Sequence, residues 1–178
     1  MSNEPITLIL GPARCGKDTA SKLISEQTGL KWATTSGLAS WHMWRVFDAL
    51  LLPYTDEQAC HADRGRYREL WATCMAALNW FALYSKAVGE GYRILNGFRR
   101  LDELMPFVNW LHKHDYRVEL VWVDASKRRQ DDDKTMDYNC TDLVIRLGQE
   151  RLSVLDNNKD ESALAGAVAT LAEDLGLT

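Results

Sequence analysis

The stretch LILGPARCGKDTASKLI, residues 8–24, leaves a chain few options. It begins inside an unbroken apolar run, Ile6 to Leu10, that ends at Gly11. A run that short and that apolar predicts a strand buried on both faces of a parallel sheet. From about Gly16 the pattern turns helical and continues to Thr28, with Gly29 placed to stop it. Between strand and helix, Gly11, Gly16 and Lys17 satisfy the spacing GxxxxGK. At ordinary Gly and Lys usage those three positions match by chance roughly once in twenty chains of this size. The strand before and the helix after make accident much rarer.

The physics of such a loop is anion binding. Successive backbone N–H groups in a glycine-permitted turn, with the positive end of the following helix, form a nest for phosphate oxygens, and Lys17 adds a point charge. Gly11, Pro12, Ala13, Arg14, Cys15, Gly16, Lys17, Asp18 and Thr19 are therefore predicted to bind phosphate groups. The lysine of this loop is usually followed by a hydroxyl residue that holds magnesium; here Asp18 follows, and Thr19 comes one step later. Asp18 can meet the metal directly or through water, take a proton from an attacking hydroxyl, or only favour the helix N-terminus electrostatically. Arg14 either touches phosphate or is solvated. Cys15 is a packed small residue or, being near a helix start, a thiol of lowered pKa.

The remaining pattern alternates strands with helices. Lys31–Thr34, YRILNGF (92–98), RVELVWVD (117–124) and RLSVLDNN (151–158) read as strands, with helices from about Asp102 to His114 and over SALAGAVATLAEDLGL, stopped by Gly176. Right-handed crossovers then predict a three-layer α/β/α fold around a parallel sheet of about five strands. The segment 37–88 is almost free of strand signals, and Leu70, Trp71, Cys74, Met75, Leu78, Phe81 and Ala82 predict one apolar helix face that is mainly core. The most charged segment, SKRRQDDDKTMDYN (126–139), lies between strand candidates, where a flap would sit.

Composition narrows the function. The chain has 178 residues, enough for one domain with a substantial core, and 46% hydrophobic and 26% charged residues, as in globular proteins. A net charge of −4 argues against affinity resting on broad neutralisation of a nucleic-acid backbone. Cys15, Cys60, Cys74 and Cys140 form no CxxC pair, so they read as reduced thiols. Ile6–Leu10 is too short for a signal peptide or a membrane span, and a cytoplasmic location is expected.

GPARCGKDTA resembles the loop of the phage deoxynucleoside monophosphate kinases, a branch of the thymidylate-kinase-like P-loop kinases that favours GKDT over GKST. LNGFRRLDE resembles that group's strand-end pattern, in which D-x-R is followed four residues later by Glu: Arg99 and Glu103 match, and Gly97 replaces the Asp. TDLVIRLG and LDNNKDESALAGAV resemble its C-terminal part. The resemblance implies a single kinase domain over 1–178, with an acceptor-binding helical insertion at about 36–90 and a lid at about 126–148. It implies ATP as phosphoryl donor with Mg2+, a host cytoplasm if the chain is phage-encoded, and Arg99 on the acceptor or a phosphate. A salt bridge from Arg99 to Glu103 is the alternative.

Within that frame DRGRYRE (63–69) offers Arg64, Arg66 and Arg68 to a phosphate-bearing acceptor, since guanidinium forks bind phosphate bidentately, and Asp63 as general base for an alcohol. A solvated, self-paired charged face is the alternative for each. Arg128 and Arg129 would close over the transferring phosphate. Trp41 and Trp44, two of seven tryptophans, share a helix face on which a base can stack, with Trp71, Trp80 and Phe81 nearby. His42 and His61 stand alone, and His112 and His114 cannot share a metal on a helix end. Two acceptors fit: a free deoxynucleoside monophosphate, which needs no base, or the hydroxymethyl group of 5-hydroxymethyluracil inside phage DNA, which must lose a proton and be flipped out. The second is the narrower expectation and rests mainly on the resemblance. A non-kinase NTP-binding switch or ATPase is a second class, although NKDE (158–161) ends in Glu where guanine-reading NKxD has Asp, and a phosphate-binding interaction module without catalysis is a third.

Overall fold

The computed structural model describes residues 5–52, 54–63, 65–127, 136, 138–147 and 152–177. Its strands β1 (Ile6–Leu10), β2 (Lys31–Thr34), β3 (Tyr92–Asn96), β4 (Val118–Asp124) and β5 (Leu152–Asp156) form one parallel sheet in the order β2-β3-β1-β4-β5. The helices are α1 (Lys17–Thr28), α2 (Thr35–Ala49), α3 (Glu57–Ala62), α4 (Arg68–Ala77), α5 (Trp80–Gly89), α6 (Leu101–Lys113), α7 (Cys140–Leu147) and α8 (Glu161–Asp174). None of them is long and apolar enough to cross a membrane.

Because side chains alternate along a strand, the buried sheet feeds two cores. Ile9, Ile94, Val121 and Val123 pack under α1 and α8 with Ile24, Leu164 and Val168. Leu8, Leu10, Leu95, Leu120 and Trp122 pack on the opposite face with Val88 of α5, Phe107 and Leu111 of α6, and Leu143 of α7. Those are the three layers the alternation predicts. A third, smaller core joins α2, α3 and α4 through Met43, Phe47, Cys60 and Trp71, with Phe47 edge-on to Tyr67 and Trp71.

One local expectation changes. The stripe from Leu70 to Ala82 is not one helix face: α4 ends at Ala77, Leu78 is extended (ψ 141°), and the Asn79 side chain accepts from the Ala82 N–H at 3.0 Å to start α5. A capping asparagine ends one helical phase and begins another. Phe81 and Ala82 consequently face solvent, and Tyr84, Ala87 and Val88 take their place in the core. Among the described residues of the 126–148 segment, α7 is an amphipathic helix. Asn139 and Asp142 cap it reciprocally, each side chain accepting from the other's backbone N–H.

Candidate active site

β1 delivers the chain to the C-terminal edge of the sheet, where the loop turns back into α1. The turn requires three left-handed residues: Gly11 (φ 134°), Arg14 (φ 59°) and Gly16 (φ 95°). Arg14 is the costly one, since a side chain at positive φ is strained by roughly 1–3 kcal/mol and persists only where the surroundings hold it. The two glycines are demanded by contact as well as by φ. A Cβ on Gly11 would lie 2.8 Å from the Val123 carbonyl oxygen and 2.9 Å from Cys15 Sγ, and one on Gly16 would collide with Asn157 Nδ2.

Asn157 explains how the loop is held from behind. It follows β5, is 3% exposed, takes its backbone register from the Asp124 carbonyl at 2.7 Å, and donates from Nδ2 to the Cys15 carbonyl at 2.7 Å. Cys15 is fully buried beneath the turn, which favours the packed reading over a reactive thiol. Lys17 is 8% exposed; its Nζ donates to the Pro12 carbonyl at 2.5 Å and lies 3.8 Å from Cys15 Sγ. The ammonium is thereby drawn back over the concave side of the loop that carries it.

Asp18 and Thr19 are at the start of α1 on the wall of a cavity of about 780 Å³. Asn96, at the end of β3 and 1% exposed, donates from Nδ2 both to Asp18 Oδ1 at 3.1 Å and to Ser21 Oγ at 2.8 Å. The residue after the loop lysine is thus oriented by a buried amide that no spacing motif announces. Around the same cavity stand Ala13, Arg14, Gly16 and Lys17 of the loop, Thr34, Thr35 and Ser36 at the start of α2, Met75 and Ala76 of α4, Trp80 and Tyr84 of α5, and Gly97, Arg99, Arg100 and Glu103.

The missing strand-end carboxylate has a steric account. Gly97 is left-handed (φ 97°), its carbonyl accepts from Thr35 Oγ1 at 3.2 Å, and a Cβ there would come within 2.5 Å of that same oxygen. No side chain fits at position 97 while Thr35 keeps its place. Arg100 forms a two-pronged pair with Asp102 (2.6 and 2.9 Å), which holds the Asp102 carboxyl below its usual range. Burial, with Glu103 nearby, pushes the Tyr84 hydroxyl well above its ordinary range, so it stays a neutral donor.

Not every predicted residue meets the cavity. Arg99 does; Trp41, Trp44, Asp63, Arg66 and Arg68 do not line it. Trp41 is half exposed and edge-on to His42. Trp44 packs in the α2–α4 core and donates from Nε1 to the Tyr54 carbonyl at 3.4 Å. Asp63 Oδ2 accepts from the Tyr54 hydroxyl at 2.7 Å and is 3.9 Å from Arg66. Burial and that hydrogen bond push Tyr54 up to about 12. Trp80 and Tyr84, stacked at 5.9 Å with 26° between planes, are the aromatic pair at the cavity. His61 does not stand alone either: Nε2 is 3.1 Å from Ser36 Oγ, and the ring is edge-on to Trp71. Arg64, Arg128 and Arg129 lie outside the described residues.

No family model matches this chain, and no curated protein matches its sequence. Solved structures do match its shape. A gluconokinase from Sinorhizobium meliloti 1021 superposes with a TM-score of 0.50 at 14% identity, over 99% of this chain and 98% of that one. A Chloroflexus aurantiacus protein provisionally described as a kinase superposes with a TM-score of 0.53 at 15% identity, over 98% of each chain. Neither is described as a phage or thymidylate-kinase-like enzyme. The likeness is one of architecture, and with the strand order and the loop described above it establishes that this chain has a P-loop kinase fold.

Proposed function

We propose that the protein is a cytoplasmic ATP-dependent phosphotransferase that moves the γ-phosphate of ATP to a nucleotide-type acceptor. The observation that carries this reading is that a phosphate nest, its lysine and Arg99 open into one cavity large enough for two reactants side by side. In it the loop amides and Lys17 bind the β- and γ-phosphates, and the strained turn keeps those amides oriented before substrate arrives. The oxygen donors Asp18 and Thr19 suit magnesium, which needs only one or two protein ligands beside phosphates. They would hold it, and the ion supplies neutralisation of phosphate charge when bound.

The acceptor enters from the side of Thr34–Ser36, Trp80 and Arg99. Stacking on Trp80 accommodates a base, and Arg99 meets an anionic group. Residues 36–90 serve as the acceptor region, 126–148 as a lid, and Arg128 and Arg129 neutralise the moving phosphoryl group. Asp63, engaged with Tyr54 and Arg66, is given no proton transfer. The narrower reading, phosphorylation of 5-hydroxymethyluracil in DNA, is supported by the GKDT and LNGFRRLDE resemblance alone.

The test is γ-labelled ATP offered separately with each deoxynucleoside monophosphate, with thymine DNA and with 5-hydroxymethyluracil DNA. Label in one monophosphate selects the metabolic kinase, and label only in 5-hydroxymethyluracil DNA selects the DNA kinase. Label released as inorganic phosphate, with every acceptor unlabelled, replaces the kinase by an ATPase or switch.

A further inference from the structure

We infer that Ser36 is a specificity residue for the acceptor and that His61, behind it, is the positioning residue that sets the direction of its hydroxyl. This deepens the kinase reading and rests on it. Ser36 lies on the cavity wall in the first turn of α2, whereas His61 comes from α3 and does not line the cavity. The Ser36 oxygen is bracketed by two side chains, His61 Nε2 at 3.1 Å and Thr34 Oγ1 at 3.2 Å. Thr34 Oγ1 in turn accepts from the Gly37 N–H at 2.7 Å, which caps α2 and fixes the threonine. His61 is fixed by its ring contact with Trp71 in the α2–α4 core. A serine hydroxyl normally rotates to suit its surroundings, and with both neighbours fixed this one has its rotation restricted to the hydrogen-bonding position they leave open.

The chemistry of that wall selects the ligand group. Thr34, Thr35 and Ser36 are neutral, and Thr35 is committed to the Gly97 carbonyl. The cationic residues of the cavity lie elsewhere, on the loop and on the Arg99–Arg100 segment. A phosphate would leave this wall for the guanidinium groups. A neutral hydrogen-bonding group of the acceptor, a hydroxyl or the polar edge of a base, is what Ser36 reads. Hydrogen-bonding sites of this kind discriminate strongly, because an acceptor lacking the partner leaves a desolvated polar group unpaired.

The experiment uses the full chain and whichever deoxynucleoside monophosphate or 5-hydroxymethyluracil DNA takes label from ATP. Ser36→Ala is expected to raise the acceptor KM about tenfold, the worth of one hydrogen bond, with the ATP KM within about twofold of the parent. His61→Ala is expected to reproduce most of that rise, and the double variant to be no worse than Ser36→Ala, since contacting residues that act as a unit are not additive. His61→Gln, whose side-chain amide reaches the position of Nε2, should restore the acceptor KM to within about threefold of the parent, and His61→Asn, which is too short, should not. A role confined to folding is excluded by melting temperature, which His61→Gln and His61→Asn lower alike.

An unchanged acceptor KM in Ser36→Ala, an ATP KM that rises in parallel, or additive single effects each overturn the assignment while leaving the kinase standing. If the parent protein binds ATP but labels no acceptor, the kinase reading falls and the assignment falls with it.

Discussion

The turns of residues 11–17 are braced by the sheet, whereas the helices α2, α3 and α4 brace largely one another. Gly11 is pressed on the Val123 backbone, Gly16 on Asn157, and Cys15 is sealed and hydrogen-bonded from behind. The α2–α4 region instead closes on a small core of its own, Met43, Phe47, Cys60 and Trp71, and leaves Trp41, Leu50 and Leu51 exposed. Trp80 is where the two meet, since it packs against both that core and the large one. The difference separates two tasks. Presenting amides to a triphosphate demands a backbone that does not yield, and admitting an acceptor is compatible with a wall that moves as a unit.

The comparison is broken most severely by Lys17→Ala. Removing the preorganised ammonium is expected to lower turnover about a thousandfold with the melting temperature nearly unchanged; near-normal turnover would reject the site. Next comes Phe47→Ala, expected to cost about 3 kcal/mol in the helical core. Hydrogen exchange should then accelerate in α2–α4 before it does in β1 and β4, and ATP should still bind. Loss of ATP binding in step with that exchange would make the two regions one cooperative unit. Gly16→Ala should act the other way, costing about 1–3 kcal/mol through strain at φ 95° and the Asn157 collision, and weakening ATP binding without freeing the helices.

The smallest effect is expected at Asp63. With its carboxylate on Tyr54 and away from the cavity, Asp63→Asn should leave turnover within about twofold, the level of an ordinary surface substitution. Its signature is in pH. The Tyr54 hydroxyl is raised from 10.0 to about 12, so the folded state holds a proton that the unfolded state loses first. That contribution is complete below pH 10 and is lost as pH rises through 12. A melting curve that falls across this window in the parent and falls less in Tyr54→Phe would confirm it, and identical slopes would refute it.

What could be read directly from the residues was whatever depends on local pattern. The run Ile6–Leu10, the glycines around Lys17 and the Val/Trp alternation of β4 each report their own backbone, and the strand–helix alternation gives the layers. What escaped was set by contacts between distant segments. Asn96 and Asn157 carry no motif, and their roles come from lying 78 and 142 positions from Asp18 and Cys15. The spacing of Trp41 and Trp44 offers them as the stacking pair with Trp80 and Phe81 nearby, whereas the helical phase that begins at the Asn79 cap sets Trp80 with Tyr84, not Phe81, on the cavity. The replacement at Gly97 was visible as a departure, but its reason, the proximity of Thr35, was 62 residues away.

The thiol of Cys15 has a practical consequence. It is wholly shielded by the turn above it, 3.8 Å from the ammonium of Lys17, so a thiol reagent reaches it only when that turn lifts. Its labelling rate, against the shallower Cys74 and Cys140, is therefore a built-in clock for how often the nucleotide cradle breathes, and a triphosphate that closes the cradle should slow that clock in proportion to its occupancy.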